Sequence, residues 1–97
     1  MHQLEYVDAV QGGIVATFDG TALEVFTDRL ASTTRLHRRQ LFIGVSGPDR
    51  KGRYEVKLTS QAGGRGGGTT LFVGADAWPQ VDTFLQAVTA ELAAPPT

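Results

Sequence analysis

From Trp78 to Leu92 the chain reads WPQVDTFLQAVTAEL. Its apolar residues fall at Trp78, Val81, Leu85, Val88 and Leu92, spaced three, four, three and four. That is the period of one face of an amphipathic α-helix, and Phe84 widens the stripe. Asp76 is placed to cap the helix, and Pro79 sits in a first turn that tolerates proline. Trp78 precedes that proline and is biased away from the α region, which sets the start between Asp76 and Pro79. Pro95-Pro96 stops the pattern, leaving one helix of roughly 15 residues.

The first two thirds of the chain read as short strands. Leu4 to Val10 mixes apolar and polar residues, and Gln11-Gly12-Gly13 breaks it. Ile14 to Phe18 alternates and ends at Asp19-Gly20, a strong hairpin signal because a type I′ turn needs positive φ at both central residues. Thr21 to Phe26 returns with Leu23 and Val25 on the inner face. Arg35 to Arg39 and Leu41 to Val45 read as two strands or as one strand with a bulge. Gly47 to Gly52 is a turn by composition. Tyr54 to Thr59 alternates most cleanly, with Tyr54, Val56 and Leu58 inward, and Thr69 to Val73 is a further β-branched and aromatic run. Hairpin connections throughout favour an antiparallel sheet. One helix cannot cover two sheet faces, so the strands must fold over themselves. The expected fold is mostly β (α+β): an antiparallel bent sheet or partly open barrel of six to seven strands, capped by one C-terminal helix.

A chain of 97 residues fits a single domain, residues 1–94, with a tail at 95–97. A chain of this size buries roughly 60–65% of its unfolded surface, enough for one core but not for a deep enclosed active site as well. Apolar residues make up 41% and charged residues 20%, which argues against disorder. With a net charge of -1 there is no global field for nucleic acid or an anionic membrane. The absence of cysteine removes disulfides, thiolate zinc sites and cysteine nucleophiles. No apolar run reaches the roughly 20 residues needed to span a bilayer, and the N-terminal residues lack the pattern of a secretory signal. A cytoplasmic location is the expectation.

Gly63 to Gly68 contains five glycines in six residues, a composition that invites a phosphate-binding reading. A dinucleotide fingerprint needs G-x-G-x-x-G between a strand and a helix. Counting from Gly64 and Gly66, the third position holds Thr69, and a strand follows where a helix should begin. The stretch is read as slack in a hairpin, and no nucleotide cofactor is expected.

The strand meander, the Asp19-Gly20 hairpin and the helix opening at Trp78 together resemble a pleckstrin-homology-like (PH-like) domain over nearly the whole chain. More narrowly, GGIVATFDGTALEV, RLHRRQLFIGV, YEVKL and TLFV look like a PH-like family of unknown function frequent in high-GC Gram-positive bacteria. The resemblance implies a terminal helix that plugs the open end of a bent barrel, with Trp78, Val81 and Leu85 in the core. Such folds host lipid binding, peptide binding and scaffolding, so the fold alone does not choose a function. Lipid-binding members place basic residues around the first loop. Here that loop reads VQGG (Val10–Gly13), and phosphoinositide binding does not carry over.

The candidate binding residues are Arg35, His37, Arg38 and Arg39. On a strand, residues 35, 37 and 39 share one face, a positive stripe about 13 Å long that could meet phosphates or an acidic peptide. The bland alternative is a solvated face paired with Glu24, Glu55 or Asp28. Arg50, Lys51 and Arg53 form a second basic cluster on a turn. His2 lies near the terminus, and His37 lacks a motif that would supply an orienting carboxylate and a nucleophile. Neither an enzyme nor a metal site is expected. Spare aromatic residues are too few for single-stranded nucleic acid. The expected function is a non-enzymatic interaction module that binds a protein partner or itself. The alternative is an anion or lipid-headgroup binder using Arg35–Arg39.

Overall fold

The computed structural model describes residues 2–28, 32–61 and 65–93. Among them are seven strands: β1 (His2–Asp8), β2 (Gly12–Phe18), β3 (Ala22–Thr27), β4 (Ser32–His37), β5 (Phe42–Ser46), β6 (Tyr54–Gln61) and β7 (Arg65–Val73). One helix, α1 (Trp78–Ala93), follows. All strand pairings are antiparallel. The strands form two sheets, β1-β2-β3-β4 and β5-β6-β7, joined at the β4–β5 corner. The sheets are not closed into a barrel, which narrows the expectation of a bent sheet or partly open barrel.

Alternation builds each sheet's inner face. Ile14, Ala16 and Phe18 of β2 are buried while Val15 and Thr17 between them are only half-buried. Val56 and Leu58 of β6 are buried, and Lys57 between them is exposed. On α1 the buried residues are Val81, Phe84, Leu85 and Val88, the three- and four-residue spacing of the sequence pattern. These side chains share one core with Leu4, Leu23, Val25, Leu71 and Val73 from the two sheets. Full burial of a side chain such as Phe18 or Val88 contributes roughly 1.5–3 kcal/mol. The helix therefore closes the space left between two sheets that neither sheet could fill.

A tight hairpin joins β2 to β3 as expected, but the register puts Gly20 and Thr21, not Asp19 and Gly20, at its centre. Gly20 has φ of 94°, and the Asp19 carboxylate accepts hydrogen bonds from the amides of Thr21 and Ala22 at 2.8 and 2.9 Å. Two further expectations need correction. Arg35 to Arg39 is not one strand: β4 ends at His37, and Arg38–Gln40 is a 3-10 turn. The glycine stretch is also not all slack. β7 begins at Arg65, so Gly66, Gly67 and Gly68 are strand residues. Pairing slips by one residue between Thr59↔Gly68 and Gln61↔Arg65, a bulge with the extra residue on β7. Gly63, Gly64, Arg29 and Pro95-Pro96 lie outside the described residues.

Candidate functional site

The basic residues singled out above do not line up as one stripe. Arg35, on β4, forms an ion pair with Glu24, its cross-strand neighbour on β3. Arg38 is drawn inward: its guanidinium donates to the carbonyls of Gly20 and Glu91, both at 3.1 Å. It thus ties the β2–β3 turn to the last turn of α1, where a cation also suits the helix dipole. Nδ1 of His37 accepts from the amide of Arg39 at 3.2 Å and so caps the 3-10 turn. Among the described residues, only the Arg39 guanidinium of these four side chains has no partner. Arg39 and the Arg50–Lys51 turn lie at opposite ends of β5, so the two basic clusters do not converge there.

His2 is not loose either. It opens β1 opposite Phe18, and its Nε2 lies 2.9 Å from a Glu91 carboxylate oxygen on α1. Among the described residues no group of three His, Cys, Asp or Glu side chains is arranged to hold a metal ion, and no helix is long and apolar enough to cross a membrane.

Another feature stands out when the four sheet edges are compared. An exposed edge presents unpaired N–H and C=O groups, and proteins guard such edges with charges or covers. The β7 edge is covered by side chains from the other sheet. Gln11 donates from Nε2 to the Thr70 carbonyl at 2.8 Å and accepts the Phe72 amide on Oε1 at 2.9 Å. The Tyr6 hydroxyl donates to the Phe72 carbonyl at 3.2 Å. Gln11 thereby supplies β7 with the donor and acceptor that a neighbouring strand would supply. Asp8 holds the turn that delivers it, accepting the amides of Val10 and Gln11 at 2.8 and 2.9 Å and the Arg53 guanidinium at 2.8 Å.

The β1 edge lies against α1, and Gln80 of the helix donates to the Glu5 carbonyl at 2.6 Å. The β4 edge carries the charged Arg35 and the exposed His37. The β5 edge has none of these devices. Its sequence, FIGVS, holds no charge, and among the described residues no strand or side chain hydrogen-bonds to its outer side.

Beside this edge runs a groove of about 670 Å³ between β5 and α1. Ile43 and Val45 form its strand wall, and Trp78, Leu85, Thr89 and Ala90 form its helix wall. Trp78 is half-buried, which corrects its expected place in the core. One face lies parallel on Tyr54, with ring centroids 3.9 Å apart. Asp82 is the one charged side chain lining the groove among the described residues, and one of its oxygens accepts from Gln86 at 3.0 Å. Val45 is 48% exposed although it sits on the inner face of its sheet. An apolar inner-face residue left open beside an unpaired strand edge offers an extended chain both backbone partners and a place for side chains.

The expectation of a protein-binding module drawn from the sequence named no strand and could not select β5. A short uncharged run such as FIGVS reads as any buried strand. Its position at an edge follows from which strands pair, and the guards on β7 come from residues about 60 positions away. Comparisons with protein-family models, curated proteins and solved structures return no match.

Proposed function

We propose that this chain is a non-enzymatic, PH-like interaction module that receives an extended segment of a protein partner along the outer edge of β5. The single observation that carries this reading is the contrast among the four edges: three are covered or charged, and β5 alone is bare beside an apolar groove. The division into sheets of four and three strands with one terminal helix supports the PH-like reading. In this arrangement the partner's backbone continues the β5-β6-β7 sheet. Its alternate side chains, two residues apart on one face, enter the groove between Val45 and Leu85. Gly44 leaves the opposite face of the strand open, so specificity comes from the groove side.

The test is an amide-shift titration of the isotopically labelled protein with uncharged hexapeptides carrying Val, Ile or Phe at alternate positions. Shifts should concentrate at Phe42–Ser46 and at Asp82–Ala90, and Val45→Lys should abolish them. Shifts confined to Arg39 and its neighbours, produced by inorganic phosphate or anionic vesicles and not by the peptides, would instead support anion or lipid-headgroup binding.

A further inference from the structure

β5 is complementary to itself, and we infer that one occupant of its edge is β5 of a second copy of this chain, paired antiparallel about a two-fold axis at Gly44. The inference rests on the reading of β5 as a docking edge and names a partner for it. In an antiparallel pairing centred on Gly44, Ile43 lies opposite Val45 of the second copy, and Val45 opposite its Ile43. Both residues stand on the groove face, because in their own chain they pair with the buried Leu58 and Val56. Each copy therefore lays β-branched apolar side chains along the open groove wall of the other, a favourable class of cross-strand pair.

The opposite face also fits. There Phe42 lies opposite Ser46 of the second copy and diagonal to its Gly44. Phe42 is 44% exposed, and the absence of a side chain at Gly44 leaves its ring a place to lie across the seam. Diagonal neighbours across antiparallel strands are within reach of an aromatic ring. No charge occurs between Phe42 and Ser46, so no like charges are opposed along the seam. The result is a six-stranded sheet, β7-β6-β5-β5-β6-β7. An isologous contact of this kind is the commonest route to a homodimer. A seam of one five-residue strand is small, so the association is weak and concentration-dependent.

The two-fold places Gly44 opposite its own copy, and that single point allows a strict test. A Cβ at Gly44 would meet nothing closer than the Lys57 Cβ at 4.0 Å, so a side chain has room there, and circular dichroism checks that each variant keeps the fold. Sedimentation equilibrium at high micromolar concentration should show the native chain dimerising. Gly44→Lys and Gly44→Glu should each be monomeric, because like charges then face each other across the axis. An equimolar mixture of the two should dimerise again. Phe26→Lys, on the exposed outer face of the other sheet, should leave the native dimer unchanged.

A native chain that stays monomeric overturns the inference. So does a dimer that survives Gly44→Lys. These outcomes are separable from failure of the docking reading itself. If the native chain is monomeric but the uncharged hexapeptides still shift Phe42–Ser46, β5 remains a docking edge and only self-pairing falls. If neither occurs, both fall.

Discussion

Gly68 and Gly67 are neighbours in the same strand, yet their backbones face different constraints. A Cβ on Gly68 would press against the Leu58 carbonyl oxygen, with the Thr59 Cα at 2.8 Å and the Leu58 carbonyl carbon at 2.9 Å. All three are backbone atoms, so no side-chain rotation relieves the contact. A Cβ on Gly67 would meet nothing within 4 Å. Gly68→Ala should therefore cost about 2–3 kcal/mol, the scale of forced overpacking. Gly67→Ala should stay within about 0.5 kcal/mol of the native protein. Urea denaturation midpoints compare the two directly, and equal effects would contradict the bulge geometry. A glycine count alone sees five similar residues. It cannot tell which one lies against another strand's backbone.

Among the elements, the β1–β2 turn does the most to join the molecule. Asp8 shapes it, and Gln11 at its end occupies the β7 edge. Gln11 is 6% exposed and Asp8 5%, so both side chains are buried, while the hydrogen bonds from Gln11 to β7 lie at the partly buried margin of the core. Gln11→Ala leaves the Phe72 amide and the Thr70 carbonyl without their partner. The expected cost is about 1–2 kcal/mol, because unmade bonds to partly buried groups carry part of the desolvation penalty. Thermal unfolding measures it, and a near-neutral result would mean that water replaces the amide at that edge. The variant also exposes a second bare edge, so faster aggregation above the native transition is the accompanying expectation.

Across the whole molecule, stability should fall toward acid pH and toward alkaline pH for separate reasons. Backbone N–H groups hold two exposed carboxylates below the ordinary aspartate range: those of Ala22 and Thr21 act on Asp19, and those of Arg53 and Lys51 on Asp49. A depressed folded pKa gives a contribution present above the unfolded pKa of about 4 and lost as pH falls through the folded value. Tyr6 behaves in the opposite sense. Burial, and then the charge of Asp8, push its pKa above the usual tyrosine value. The folded protein keeps this phenol neutral. Its contribution is present below the unfolded pKa of about 10 and is lost as pH rises. Urea midpoints measured across pH should show a flatter acid limb in Asp19→Asn and Asp49→Asn and a flatter alkaline limb in Tyr6→Phe. Unchanged limbs would contradict these assignments.

The helix from Trp78 and the alternation in β2, β3 and β6 were legible because each reflects a repeat within one segment. An apolar stripe at the helical period, or an alternating run, has one way to bury its face, whatever lies across the core. The β2–β3 turn is equally local: the short Asp19 side chain accepts two amides within three residues. Long-range packing set the rest. Arg38 looked like a surface cation until the end of α1 brought the Glu91 carbonyl to it, 53 positions away in the chain. Trp78 looked like core until Tyr54 took one face and the groove kept the other open. β5 looked like any other short apolar strand. Its bare edge exists because the chain pairs as four strands and three and places α1 beside, not over, β5. Sheet edges are a property of pairing between distant segments, and no local period encodes them.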